Sequence, residues 1–150
     1  MGPADNWVIQ SMDDITHALT GALLAKATIS NKEQEGKIAV RAFWVSALAP
    51  DADFFLRAFG FETYILYHRG ITHSLFGLPL LALLLGWLFY RFSPLKRFGY
   101  LTFLCACGIA CHIFLDLITS YGTMILAPFS DCRFSLDWVF IIDPFFTSIV

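Results

Sequence analysis

Two long apolar runs separated by a short basic loop constrain this chain more than any other feature. Ile71 to Tyr90 contains no Asp, Glu, Lys or Arg and is bracketed by Arg69 and Arg91. Gly99 to Thr119 is apolar apart from His112 and Asp116. Each is about the length a helix needs to cross a hydrocarbon core of roughly 30 Å. The connector Arg91-Phe-Ser-Pro-Leu-Lys-Arg97 is short and basic, so the runs predict two antiparallel membrane helices with that loop in the cytoplasm. Composition agrees: charged residues are 15% of the chain against roughly 25% in soluble domains, and 57% of residues are hydrophobic. A net charge of −2 and the absence of a basic cluster with interleaved aromatics exclude a nucleic-acid surface.

Two shorter helices are predicted upstream. Ser11-Met-Asp-Asp14 offers a capping-box-like start for a helix from Asp13 to Thr28. Lys37 to Ala49 reads as another, stopped by Pro50. Their polar connector, Ser30 to Lys37, lies among Lys26, Lys32, Lys37 and Arg41 and is therefore also placed in the cytoplasm. A further apolar segment begins at Asp137 and runs to Val150 without a polar stop, which reads as a partial form of a longer protein or as a packed tail. The predicted fold is an all-α, multi-pass integral-membrane bundle of four to five helices over residues 12–150, after an extension at 1–11. Cys105, Cys107 and Cys111 sit in one apolar run and read as small core hydrophobes; with Cys132 they form neither a disulfide framework nor a CxxC pair.

On this topology the unusual polar residues converge. His17 lies near the start of the first helix, Asp51 and Asp53 just past the second, His68 and His73 at the start of the third, and His112 and Asp116 near the end of the fourth. The orientation was set by Lys and Arg alone, yet all seven arrive at the extracytoplasmic membrane face. His112 and Asp116 are four residues apart and share a helix face. A carboxylate within an apolar run is costly to bury without a partner or cation. Histidine with aspartate suits zinc, and also manganese or iron, with room for one or two metals. Such a centre lowers the pKa of bound water towards about 7 and makes hydrolysis accessible at neutral pH.

Each residue also has a plainer reading. His17 could be a hydrogen-bonded packing residue, and Asp51-Ala-Asp53 after Pro50 could cap the next helix. Arg69 either anchors a phosphate or marks a membrane boundary. Thr72 and Ser74 read as helix caps; no GxSxG elbow supports serine hydrolysis. Asp137 and Asp143-Pro144 could join the site or end helices, and Asp131 reads as a solvated loop residue.

Thr16-His-Ala-Leu-Thr-Gly21, Pro50-Asp-Ala-Asp53, His68-Arg-Gly-Ile-Thr-His-Ser74 and His112-Ile-Phe-Leu-Asp116 together resemble the YdjM/YbcI-type family of bacterial inner-membrane proteins. The resemblance covers about Met12 to Pro144, with the HRGxTHS stretch its most specific part. It implies a bacterial inner-membrane location and metal-dependent hydrolysis. A fainter likeness, of residue order and spacing alone, is to zinc-dependent phospholipase C and related nucleases, which use an early His, an Asp, a His and a later HxxxD. This chain departs from them in showing no further His after Asp116. The expected function is a membrane-bound, metal-dependent hydrolase cleaving a phosphoester, such as a lipid headgroup, at the extracytoplasmic face. In that reading His17, Asp53, His68, His112 and Asp116 hold metal, Asp51 and His73 serve as ligand, base or supporting groups, and Arg69 holds the anionic substrate. The competing expectation is a non-enzymatic membrane protein that binds or transports a metal ion.

Overall fold

The computed structural model describes residues 16–27, 29, 34–60, 62, 64 and 67–138. The expected cap at Ser11–Asp14, residues 30–33 of the connector and the last apolar segment from residue 139 on, with Asp143-Pro144, lie outside the described residues. Among those described, the chain is all-helical, with α1 over residues 16–27, α2 over Gln34–Leu48, α3 over Gly77–Phe92 and α4 over Phe98–Ile118. One isolated antiparallel bridge joins Thr123 and Phe134.

α4 is the central helix. Leu101, Leu104, Cys105, Gly108, Ile109, His112, Ile113 and Asp116 recur at three- and four-residue spacing and are all buried. α2 presents the matching stripe of Ile38, Ala39, Ala42, Phe43, Ser46 and Ala47. Cys105 lies against the Ala42 carbonyl and His112 against the Ala47 carbonyl, so the two helices run parallel. Gly108 permits their approach: a Cβ there would lie 2.5 Å from the Phe43 carbonyl oxygen and closer still to Ser46 Oγ. α3 packs antiparallel on the other side, with Tyr90 and Phe98 in ring contact near the connector and Gly86 against Thr102. α1 runs antiparallel to α2, with Trp44 donating to the Ala18 carbonyl and Ala25 packing with Ala39 and Phe43.

This arrangement positions the site. The C-terminal ends of α2 and α4, the start of α1 and the start of α3 all meet at one end, opposite the basic connector of residues 91–97. The α2 helix ends at Leu48, in keeping with the expected stop at Pro50, but the chain goes on winding. Pro50 removes a donor and disfavours α geometry in the preceding residue, and the chain tightens into 3-10 turns over Ala49–Phe59. Those turns carry Asp51 and Asp53 over the end of α4.

The expected third span is also corrected. Ile71–His73 forms a 3-10 turn, and α3 begins only at Gly77. Ser74 Oγ accepts the Gly77 N–H at 2.9 Å and donates to the Ile71 carbonyl at 2.8 Å, which fixes the later start. α3 has 16 residues, about 24 Å, and falls short of the bilayer core. α4 has 21 residues, about 31 Å, and among the described residues it is the one helix long and apolar enough to cross a membrane. The described part is thus a bundle of four α-helices, within the expected four to five, of which one is a clear candidate span.

Candidate metal centre

At the shared end of the helices, all eight residues singled out in the sequence form one continuous set of contacts. At its middle, four side-chain atoms face each other. His73 Nε2 and His112 Nε2 lie 3.1 Å apart. Asp116 Oδ2 is 3.2 Å from the first and 3.4 Å from the second. Asp51 Oδ1 is 3.5 Å and 3.4 Å from the same two nitrogens. His73, His112 and Asp116 are fully buried, whereas the Asp51 side chain is 15% exposed.

The outward atoms of both imidazoles decide what the inward ones carry. His112 Nδ1 lies 2.7 Å from the Ala47 carbonyl, an acceptor only, so Nδ1 bears the proton. His73 Nδ1 lies 2.9 Å from Thr72 Oγ1, whose own hydrogen is given to Asp53 Oδ2 at 3.3 Å, so this Nδ1 is again the donor. Neutral imidazoles in those tautomers direct two bare lone pairs at one another, beside two carboxylate oxygens. Such a set requires a cation or added protons. A tetrahedral zinc with ligands at 2.0–2.1 Å places them about 3.3 Å apart. His73 Nε2, His112 Nε2 and Asp116 Oδ2, mutually 3.1 to 3.4 Å apart, match that spacing, and Asp51 Oδ1 lies 3.4 to 3.5 Å from the two nitrogens. The donor set of two imidazoles and two carboxylates therefore fits a divalent metal. Asp116 Oδ2, the inward oxygen, has no hydrogen-bond partner among the described residues, as expected of an atom shaped for an ion. His17, Asp51 and His112 form a second group whose ligand atoms lie within 4.8 Å of one another.

Surrounding contacts hold this geometry. Asp116 Oδ1 accepts from His17 Nε2 at 3.0 Å and from the Arg69 guanidinium at 2.9 Å, which turns Oδ2 inward. The His17 ring stacks on His112 with centroids 3.9 Å apart. Asp53 works from the other side. Its Oδ1 accepts the His68 Nδ1–H at 2.9 Å, and its Oδ2 accepts the Arg69 backbone N–H at 3.1 Å and the Thr72 hydroxyl. His68 is thus held as the tautomer whose Nε2 carries a lone pair. Burial pushes the Asp51 carboxyl up, but the charge of His112 and hydrogen bonds with His112 and His73 outweigh this. They hold it well below the ordinary carboxylate range.

The geometry groups the residues differently from the sequence expectation. Asp51 and His73, expected as ligand, base or supporting groups, stand with His112 and Asp116 in the four-atom set. Asp53 and His68, expected as ligands, pair with each other beside it. Arg69 is buried, bound to Asp116 and to Thr119 Oγ1 at 3.1 Å, with its carbon skeleton turned inward by a left-handed backbone, φ 57°. Thr72 bonds Asp53 and His73 instead of capping a helix. Asp137 is exposed and accepts from Ser135 at 2.9 Å, away from the cluster. Three contributors were not singled out: the Ala47 carbonyl, Thr119 and Tyr64, whose ring stacks on His68 at 4.5 Å. Thr119, three residues past Asp116, and Tyr64, four before His68, carried a spacing signal; a backbone carbonyl carries none.

A cleft of about 460 Å³ borders this assembly. Asp53, Thr72 and Asp131, the last expected only as a solvated loop residue, form its polar edge, and Tyr67, Ile71, Met124, Ala127 and Pro128 form its apolar walls.

The family model described as YdjM inner membrane protein matches residues 12–150. The chain is 30% identical over 139 residues to the uncharacterized protein YfhP of Bacillus subtilis (strain 168), an alignment that covers 89% of this chain and 42% of that protein. The chain therefore spans less than half of that relative's length. No solved structure matches.

Proposed function

The chain belongs to the YdjM inner membrane protein family, and from that membership and the buried cluster we propose that it is a membrane-bound, metal-dependent hydrolase acting on a phosphoester. What supports the metal is the convergence of His73 Nε2, His112 Nε2 and Asp116 Oδ2 within 3.1 to 3.4 Å of one another, with Asp51 Oδ1 beside both nitrogens and both imidazole protons committed elsewhere. His73, His112 and Asp116 would hold one divalent ion, zinc suiting two imidazoles and a carboxylate, with a further position open to water beside Asp51. Bound there, zinc supplies Lewis acidity and acidifies water near neutral pH.

The chain's own residues supply the rest. Asp51, the one partly exposed member, marks the side from which water reaches the set. Asp53 fixes the His68 Nδ1–H, which leaves Nε2 to accept a proton from an attacking water or, once charged, to return one to a leaving oxygen. Arg69 and His17 neutralise and orient Asp116. The site lies at the end of the helix pair away from the basic connector, which the positive-inside tendency assigns to the extracytoplasmic side of a multi-pass arrangement. The likeness to zinc phospholipase C rests on residue order and spacing, and it points to the same phosphoester chemistry.

A second reading takes the same observation differently. Four protein donors complete a tetrahedron, as in structural or cargo metal sites, and would make the protein a metal binder without catalysis. One experiment separates the two. Metal content of detergent-purified protein is measured by elemental mass spectrometry, with His112→Ala and Asp116→Ala alongside, and the same samples are assayed on a chromogenic phosphodiester. Near-stoichiometric metal and turnover, both lost in the variants, support the hydrolase. Metal without turnover on any phosphoester favours the binder, and wild-type protein that stays metal-free after reconstitution overturns both.

A further inference from the structure

The cleft beside the metal centre opens onto the surface that meets the membrane. Its walls are mostly apolar, with Asp53, Thr72 and Asp131 at the edge and no Lys or Arg, so its hold on an occupant is mainly hydrophobic. Its volume of about 460 Å³ falls within the roughly 300–1,000 Å³ of ligand pockets. Its rim is unusually exposed for apolar residues: Tyr67 is 63% accessible and Phe129, next to Pro128, is 78%. Phe129 packs edge-on against Phe76 with centroids 4.9 Å apart. From Phe76 the exposed apolar surface continues along α3 through Leu80, 68% accessible, Leu84 and Trp87. In a protein of an inner-membrane family, that stripe faces lipid, and the cleft is its continuation at the end carrying the metal centre.

We infer that the cleft takes an acyl chain of a bilayer lipid, admitted sideways past Ile71 and Phe129, so that the phosphoester substrate is a membrane lipid. The inference rests on the hydrolase reading above for its chemistry and on the cleft for its choice of substrate. The polar edge explains the placement. A chain lying along Ile71, Met124 and Pro128 brings its headgroup to Thr72 and Asp53, both in contact with His73 at Nδ1. Across that one imidazole ring lies the metal-facing Nε2. A water-soluble phosphoester would gain nothing from these walls; a lipid gains the burial of several methylenes at about 0.8 kcal/mol each.

The test uses the full chain in lipid nanodiscs containing a phospholipid with a diazirine near the end of one acyl chain. After irradiation, adducts are mapped by peptide mass spectrometry and metal content is read on the same sample. Adducts on Ile71, Met124 or the Ala127–Phe129 stretch, in addition to the α3 face, are expected. Ile71→Glu should lower the cleft adducts about tenfold while leaving those on Leu80 and Leu84 unchanged. Ile71 is exposed and its backbone bonds are unaffected by the change; the wild-type map carries the test even if the variant is unstable. Adducts confined to Leu80, Leu84 and Trp87 would overturn the inference while leaving a metal-loaded hydrolase intact. Cleft adducts on metal-free protein would keep lipid binding and remove the hydrolytic reading.

Discussion

Nε2 of His73 and Nε2 of His112 face each other at 3.1 Å, and neither can hand the other a proton without giving up the bond at its own Nδ1. Two lone pairs at that distance repel unless something positive lies between them. It follows that the two histidines act as a unit. Zinc affinity, read by competition with a chromogenic chelator, should fall by more than about 100-fold in His73→Ala and in His112→Ala. Asp53→Asn, which only loosens supporting hydrogen bonds, should cost about 10- to 100-fold. His68→Ala should cost less than either ligand variant, since His68 stands outside the four-atom set. A larger loss for His68 than for His73 would place the metal on the Asp53 side.

Arg69 is the residue whose burial carries the largest energetic consequence. Its guanidinium is paired with Asp116 in a site with almost no solvent, and removing one partner of such a pair costs about 3–5 kcal/mol. Arg69→Ala should therefore lower the unfolding midpoint strongly in metal-free protein and less in zinc-loaded protein, where the ion shares the compensation of Asp116. Its backbone is left-handed, a conformation that costs an ordinary residue about 1–2 kcal/mol. Arg69→Gly should accordingly be less damaging than Arg69→Ala by about 1 kcal/mol. Thermal unfolding of the three proteins in detergent, with and without zinc, reads both effects.

How far the sequence foretold these contacts depends on whether a residue's role is local. His112 and Asp116 were legible because helical periodicity alone puts them on one face. The gathering of His17, Asp51, Asp53, His68 and His73 at the same end was legible because short connectors and basic loops order the helices. The partition between ligands and supporters was not. It depends on 3-10 turns after Pro50 that carry Asp51, rather than Asp53, over the histidine pair. Arg69 was read as facing substrate because spacing says nothing of the left-handed turn that points it inward. The start of α3 was misplaced because an uncharged run extends through Ile71–His73, while the Ser74 hydroxyl sets the helix start six residues later.

Gly108 links the packing of the bundle to the geometry of the centre. It lets α4 approach α2 closely enough for His112 to reach the Ala47 carbonyl. A side chain there must push the helices apart, and overpacking of this kind costs about 1–3 kcal/mol. Gly108→Val should lower stability by that amount and, through displacement of His112 from Asp51 and His73, weaken zinc binding as well. Gly99→Ala, at a helix start with open space around it, is the control and should change neither. Paired melting curves and chelator competition check the coupling.

Acid should release the metal through the imidazoles and not through Asp51. The folded-state pKa of Asp51 is held below the ordinary value, so its ionised form is fully present above the unfolded carboxylate pKa of about 3.9. That contribution is lost only as pH falls through the lower folded value. Between neutrality and about pH 4 the Asp51 charge therefore stays in place. The histidine ligands behave otherwise, because an imidazole must be neutral to bind metal and its ordinary pKa is about 6.5. Burial lowers the His73 pKa, but hydrogen bonds with Asp116 and Asp51 outweigh this and hold it above the ordinary value. As pH falls, zinc affinity should therefore begin to decline above about pH 6.5 and approach a hundredfold per pH unit where two imidazoles titrate together. Asp51→Asn removes a carboxylate beside the metal and one of the groups that favour protonated His73, so it should weaken binding at neutral pH and move the midpoint of the decline to lower pH. Affinity measured at half-unit steps from pH 7.5 to 4.5 separates the two behaviours. A midpoint that stays fixed in Asp51→Asn would show that this carboxylate does not act on the titration of the histidine pair.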